Sequence, residues 1–341
     1  MSQIVNRKIV LASRPVGEPD PSNFDLVEED VPGIEDGQVL IKNLYLSLDP
    51  YMRGRMSDAK SYSEPVAIGA VMIGATVGEV VRSKSPEIVE GETVMGFGGW
   101  QDYAVLDGAE VQKIEQAVVP ISTALGVLGM PGMTAYTGMK NIGKPKPGET
   151  VVVAAASGAV GSVVGQIAQI EGARAVGIAG SEEKCRFVVD ELGFDACINH
   201  KAPDFAEQLA AVCPDGIDVY FENVGGEVFQ AVLPLLNDFA RIPVCGLIAH
   251  YNATEAPKGP DMTAALMRQI LVKRLTLRGF IVWDFAEQEK EAKEALAKWI
   301  VEGRLKYKEH VTKGLENAPG ALIELLKGGN FGKAVVKISQ N

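Results

Sequence analysis

Two rhythms of apolar and polar positions divide the chain. Over residues 1 to about 125 the apolar stretches are short, among them 38–46 and 69–81, and Gly, Pro and Asp cut them repeatedly. This spacing predicts strands joined by tight turns, and residues 91–96 add a turn leading into another strand. No stretch of helical period of any length occurs there. From about Pro145 the rhythm changes. A turn at 146–149 leads into 150–156, an unbroken apolar run of the kind a strand buried on both faces requires. Strand and helix patterns then alternate. Helix patterns cover 160–171 and 182–192, and strand patterns cover 173–179, 196–198, 218–221, 240–247 and 275–282. Six strands with helices between them predict an α/β fold with a doubly wound parallel sheet. A long amphipathic helix is expected over 284–303, with Ala292, Leu296, Trp299 and Ile300 on one face. A strand at 306–311, a helix at 318–326 and a last strand at 334–338 follow. This tail is expected to return to the first domain, giving domains 1–126 with 308–341, and 127–307.

Composition narrows the possibilities. At ~150 residues per domain, 341 residues make about two domains, and 47% hydrophobic residues exclude a disordered or fibrous chain. The net charge of −11 opposes general binding of nucleic acid. No apolar run approaches the ~18 residues of a membrane span. The amino terminus has neither the apolar core nor the cleavage site of a signal peptide, so a cytoplasmic location is expected. Cys185, Cys197, Cys213 and Cys245 match no metal-knuckle spacing, and His200, His250 and His310 have no ligand partner at a suitable spacing. Buried thiols, surface imidazoles and no metal site are expected.

One segment carries specific chemistry. After the 150–156 strand comes Ala156-Ser157-Gly158-Ala159-Val160-Gly161, a G-x-G-x-x-G turn with Ala at its first glycine. Gly158 lets backbone approach a pyrophosphate, Gly161 lets helix pack on strand, and the helix amino terminus offers N–H groups to phosphate. The next strand ends in Gly180-Ser181 without the carboxylate that would hold a ribose 2′-hydroxyl, and Lys184 stands one turn further on. NADPH is therefore preferred over NADH. The alternative is that Lys184 is a solvated surface lysine beside Glu182 and Glu183.

Residues 46–53, 129–136, 154–161, 220–226, 245–252, 279–282 and 329–333 together resemble, along the whole chain, the zinc-independent medium-chain dehydrogenase/reductase group. That group contains the prostaglandin reductases, alkenal double-bond reductases and bacterial curcumin reductases; the likeness is strongest to the curcumin reductases, through 53–58 and 98–103. The resemblance implies a GroES-like β-barrel domain joined to a Rossmann domain, with the active site in the cleft between them. It further implies that Gly158, Ala159, Val160 and Gly161 hold the pyrophosphate and Lys184 the 2′-phosphate. Asn223, the loop of Cys245, Gly246, Leu247, Ile248 and Tyr251, the backbone of Phe280, Ile281 and Val282, and Asn330 would line the rest of the cofactor. His200 stands where relatives often carry Tyr; a partly charged imidazole there predicts NADPH affinity that falls as pH rises. Zinc-dependent members carry their ligands in the barrel domain, where this chain has no Cys before Cys185 and no His before His200.

Reduction of a C=C bond conjugated to a carbonyl suits such a site. Hydride adds at the β-carbon and charge moves to the carbonyl oxygen, which needs donors. Tyr251 is the expected donor, since a phenol with an ordinary pKa of ~10 is protonated at neutral pH. Tyr51 is expected to line the substrate slot. For either Tyr the alternative is an ordinary core or rim residue. A quinone reductase and a non-catalytic dinucleotide-binding redox sensor remain the competing functions. The 275–282 strand, at the sheet edge, is expected to pair across a homodimer.

Overall fold

The computed structural model describes residues 5–114, 119–255 and 261–338. The chain divides into two compact units, Met1–Gly126 with Glu309–Asn341, and Val127–Lys308.

In the first unit β1 (Val5–Leu11) and β2 (Phe24–Asp30) pair antiparallel, with Leu11 opposite Phe24. A seven-stranded sheet is built from β3 (Gln38–Ser47), β4 (Thr76–Ser83), β5 (Thr93–Gly96), β6 (Tyr103–Asp107), β7 (Gln112–Lys113), β14 (Glu309–Lys313) and β15 (Lys333–Lys337). Its order is β14-β15-β3-β4-β5-β7, with β6 also paired to β3. The carboxy-terminal strand thus lies antiparallel to β3, Val336 opposite Leu46, which is what makes this unit discontinuous in sequence. The core collects Leu46, Leu48, Met52, Met72, Val336 and Ile338 around Trp100, whose ring stacks on Phe24 with centroids 5.7 Å apart. The five-residue helix α1 (Tyr51–Arg55), which starts directly after Pro50, is too short to give a helical period in the sequence. A later helix, α9 (Ala318–Leu326), buries Leu322 and Leu325.

The second unit holds α2 (Met130–Gly138) and then a six-stranded sheet: β8 (Thr150–Ala154), β9 (Arg174–Ala179), β10 (Ala196–Asn199), β11 (Ile217–Phe221), β12 (Leu236–Val244) and β13 (Thr276–Gly279). Between the strands run α3 (Gly161–Ile170), α4 (Glu182–Arg186), α5 (Phe205–Val212), α6 (Gly226–Val232) and α7 (Thr263–Lys273), and α8 (Glu289–Val301) follows the last of them. The spatial order is β10-β9-β8-β11-β12-β13, and every neighbouring pair is parallel. That is the doubly wound arrangement expected, with the order reversing between β8 and β11. All five β8 residues are buried, as its unbroken apolar run requires. Because the strands are parallel, their carboxyl ends share one edge of the sheet, where such folds hold their ligands.

The strand expected at 306–311 forms at Glu309–Lys313 and the helix expected at 284–303 at Glu289–Val301, and two further boundaries differ from the apolar pattern. Strand β12 begins at Leu236, not near 240; polar Asn237 and Asp238 and a left-handed Phe239 (φ 62°) interrupt the apolar pattern and shift the register. Strand β13 ends at Gly279, so Phe280, Ile281 and Val282 lie beyond it. There the Asp284 carboxylate accepts the Ile281 N–H at 3.0 Å and starts a tight helical turn, Val282–Gln288, ahead of α8.

Candidate active site

The turn after β8 is the first element of the site. Spacing places the missing first glycine at Ala156, but the left-handed residue is Ala155, at φ 54°. Ala156 is instead fully buried and donates its N–H to the Ile178 carbonyl at 2.9 Å. A left-handed Ala costs roughly 1–2 kcal/mol, which the packing of this turn must offset. A Cβ placed on Gly158 would meet only the Ala155 carbonyl oxygen, at 3.1 Å, leaving the rest of its surroundings open to a ligand. A Cβ on Gly161 would lie 2.3 Å from that oxygen and 2.8 Å from its carbon, so only glycine lets α3 start against the strand end. Ala159 and Val160 complete the turn into the amino terminus of α3.

At the ends of β9 and β10 a cationic corner forms. Ser181 caps α4, its Oγ accepting the Lys184 N–H at 3.2 Å. Lys184 is buried, and burial followed by the charge of Lys201 holds its ammonium below the ordinary value. The neighbouring Glu182 carboxylate accepts instead from the Asn199 side chain at 3.0 Å. A Cβ on Gly180 would come 3.4 Å from His200 Nε2 and 3.9 Å from Lys201 Cε, so the glycine keeps a space that both residues face. Lys201 was not singled out by spacing, although it stands next to His200 in the sequence. Burial, and then the Lys201 charge, also hold the His200 imidazole below its ordinary value. That direction works against the charge on which the expected pH dependence of NADPH affinity depends.

Across the order reversal, Asn223 ties β11 to β8 by donating from Nδ2 to the Ala154 carbonyl at 2.8 Å. The hub of this region is Glu222, which sequence reasoning passed over. It is 2% exposed, and its Oε1 accepts from the Val224 N–H at 2.7 Å, the Gly225 N–H at 2.8 Å and the Tyr220 hydroxyl at 3.0 Å. Burial outweighs these donors and raises its pKa. The signal that could have found it is an acid between an apolar strand and a Gly-Gly turn. Its backbone carbonyl also accepts the N–H groups of Cys245 (2.9 Å) and Gly246 (3.1 Å), and Ile248 donates to the Asn223 carbonyl at 3.1 Å. The 245–251 loop is therefore laced to the end of β11.

Tyr251 closes that loop. Its hydroxyl oxygen accepts the Leu247 N–H at 3.4 Å, and a Cβ on Gly246 would sit 3.1 Å from it. Phe280 points its ring into the core, edge-on to Phe221 with centroids 6.1 Å apart, so only its backbone can serve a ligand. Ile281 is partly exposed and Val282 buried.

Tyr51 and Asn330 belong to the first unit. Both flank one buried ion pair: Lys333 Nζ donates to Asp49 Oδ1 at 2.9 Å and to the Leu48 carbonyl at 2.6 Å. Ser47 also donates to the Asp49 carboxylate. Burial, then the Asp49 charge, raises the Tyr51 pKa, so it stays a phenol. The Asn330 amide donates to the Gly332 carbonyl at 2.8 Å.

Among the described residues no group of three or more His, Cys, Asp or Glu could hold a metal ion, and no helix is long and apolar enough to cross a membrane. Two family models match the chain: "N-terminal domain of oxidoreductase" over residues 7–114 and "Zinc-binding dehydrogenase" over residues 159–301. The chain is 56% identical to the NADPH-dependent curcumin reductase of Escherichia coli (strain K12), over 98% of this chain and 97% of that one. It is 40% identical to the NADP(+)-dependent 2-alkenal reductase of Nicotiana tabacum, over 99% of each. Among solved structures, CurA from Vibrio vulnificus in complex with NADPH superposes with a TM-score of 0.95 at 57% identity, covering 98% of this chain and 100% of that one.

Proposed function

We propose that this chain, which belongs to the medium-chain dehydrogenase/reductase family and within it to the group of curcumin and alkenal reductases, reduces the C=C bond of α,β-unsaturated ketones and aldehydes with NADPH. The observation that carries the reading is the 56% identity, over nearly the whole of both chains, to an NADPH-dependent curcumin reductase. Curcumin and 2-alkenals share a C=C bond conjugated to a carbonyl, and that conjugation defines the substrate class.

The residues present fit the cofactor. Gly158 leaves open space at the turn where a pyrophosphate would approach, with Ala159, Val160, Gly161 and the amino terminus of α3 beside it. Lys184 and Lys201 bring two positive charges together at the end of β9, where a carboxylate would be expected for NADH. A 2′-phosphate would relieve their mutual repulsion, with His200 alongside. Asn223, Cys245, Gly246, Leu247, Ile248, Tyr251, the backbone of Phe280, Ile281 and Val282, and Asn330 are proposed to complete the cofactor contacts, and Tyr51 to touch the substrate.

Bound NADPH supplies the hydride. The chain's own task is to hold the alkene and to stabilise the negative charge that grows on the carbonyl oxygen. Tyr251 is proposed as the donor to that oxygen: its loop is fixed to β11 by the Glu222 and Asn223 carbonyls, so its position is set before charge develops. A donor placed in advance acts mainly on the transition state.

The chain is further proposed to be a cytoplasmic homodimer. All four cysteines are free thiols, as a reducing compartment maintains. Strand β13 is an edge of the parallel sheet, and α7 just before it exposes Met267, Leu271 and Val272; a second copy can cover both. Light scattering at micromolar concentration should give twice the 36.4 kDa chain mass; a monomer would remove this part.

The function is tested by following NADPH oxidation with an enone, a quinone or no acceptor. Turnover with the enone is expected. Turnover with the quinone alone would move the chain to quinone reduction, and turnover with neither, despite NADPH binding, would make it a binding module.

A further inference from the structure

One charged pair is sealed inside the first unit. Lys333 and Asp49 are only 3% and 5% exposed. The ammonium donates to Asp49 Oδ1 at 2.9 Å and to the Leu48 carbonyl at 2.6 Å, which joins the start of β15 to the chain just past β3. The other Asp49 oxygen accepts from the Ser47 hydroxyl. The lysine stem has a place kept for it: a Cβ on Gly126 would lie 3.2 Å from Lys333 Cγ and 3.4 Å from Lys333 Cβ. Two charges so buried lose hydration that their attraction does little more than offset, and an apolar pair of similar volume often serves stability as well or better. Stability alone therefore does not account for the pair.

The pair holds two short turns. On one side Asp49 leads through Pro50 into Tyr51, and the Asp49 carbonyl accepts the Met52 N–H at 3.1 Å, so the backbone of the charged residue itself starts α1. On the other side Gly332 is left-handed, at φ 64°. Its carbonyl, in the peptide that leads into Lys333, accepts from the Asn330 side chain at 2.8 Å. Tyr51 thus stands two residues from one charge, and Asn330 three from the other. The Leu48 N–H, donating to the Ala334 carbonyl at 3.1 Å, is the backbone bond beside this junction.

We propose that Asp49 and Lys333 are positioning residues, which hold Tyr51 for the substrate and Asn330 for NADPH as one assembly. The proposal rests on the assignment of Tyr51 to the substrate and Asn330 to the cofactor. Buried as they are, the two charges act through those side chains. Without the pair the two turns keep the β3–β15 ladder but lose both bonds of the ammonium. Tyr51 and Asn330 then sample more positions, so each ligand binds more weakly while the reaction of bound substrate continues. A loss of that kind raises KM and leaves kcat.

The test uses the full chain. Lys333→Met alone would strand a buried carboxylate and destabilise the fold, so both charges are removed together, Asp49→Asn with Lys333→Met. Glu309, opposite Lys333 on β14, keeps its own donor, the Ser122 hydroxyl at 2.8 Å. The double variant should melt within about 5 °C of the native chain. At saturating NADPH its KM for an enone should rise about 10-fold with kcat within about 3-fold. Its NADPH dissociation constant should rise about 2- to 10-fold, the worth of one neutral hydrogen bond. Tyr51→Ala should by itself raise the enone KM about 10-fold, and adding it to the double variant should change KM little further, because the two act through one ring. A folded double variant with native KM and native NADPH affinity, KM effects that simply multiply with Tyr51→Ala, or a double variant that does not fold would each overturn the proposal. Native KM in Tyr51→Ala itself would remove the assignment of Tyr51 to substrate, and the proposal with it. If the native chain reduces no enone, the functional reading fails instead, and the NADPH titration still decides whether the pair positions Asn330.

Discussion

The two glycines of the turn after β8 should fail in different ways when each is given a methyl group. In Gly161→Ala the new Cβ would sit 2.3 Å from the Ala155 oxygen, 2.8 Å from the Ala155 carbon and 3.0 Å from the Ala156 Cα. All three are backbone atoms at the end of a buried strand, so the start of α3 has to move by about 1 Å to regain contact distance. Overpacking of this kind costs about 1–3 kcal/mol, and for a unit of this size each kcal/mol lowers the melting temperature by about 2–4 °C. A fall of roughly 2–12 °C is expected. In Gly158→Ala the single close atom is the same oxygen at 3.1 Å, and the backbone there is not left-handed, so the melting temperature should drop by less than about 2 °C. Its methyl would point into the space proposed for a pyrophosphate, and NADPH affinity should fall about 10-fold or more. Thermal unfolding and titration of NADPH fluorescence separate the two effects. A Gly158→Ala chain that binds NADPH like the native one would refute the assignment of this turn. A Gly161→Ala chain that melts unchanged would refute the packing argument.

Replacing Lys184 with Ala should weaken NADPH binding about 10- to 100-fold, from a lost charge-assisted contact of about 1.5–3 kcal/mol, with little effect on NADH; equal losses would show that it does not read the 2′-phosphate. Burial raises the Glu222 pKa, so its contribution to stability is present at low pH and is lost as pH rises through the raised value. The urea midpoint of Glu222→Gln, relative to the native chain, should therefore climb as pH rises above the ordinary carboxylate range, and a constant difference would contradict the sign. Tyr251→Phe should lower the single-turnover rate of hydride transfer about 10²-fold or less, because solvent can still protonate the product, while NADPH affinity holds. An unchanged transfer rate would leave Tyr251 as a pocket wall.

The sequence makes legible what depends on local pattern. The valines of β8 and the glycines after it announce a buried strand, a tight turn and a helix start, and those elements are where the pattern puts them. It hides what depends on tertiary approach. Phe239 breaks the apolar pattern of β12 by adopting a left-handed conformation that no propensity would assign to an aromatic residue. The short helices α5, α6 and α7 are not legible individually, because seven to eleven residues give too few turns for a clear period. Lys201 joins Lys184 only because β10 lies beside β9. Lys333 and Asp49, 284 residues apart, meet because the last strand returns to β3. Glu222 could have been noticed: a carboxylate at the end of an apolar strand must find donors, and the Gly-Gly turn after it supplies two N–H groups.

Hydride from NADPH should go to the β-carbon of an enone rather than to its carbonyl carbon or to a quinone, and the fate of a labelled hydride tests this directly. NADPH carrying deuterium at the transferred position is incubated with the chain and a simple enone, and the product is examined by NMR and mass spectrometry. The saturated ketone is expected, with one deuterium on the β-carbon and a solvent-derived proton on the α-carbon. An allylic alcohol deuterated at the carbinol carbon, or a product without deuterium, would contradict it.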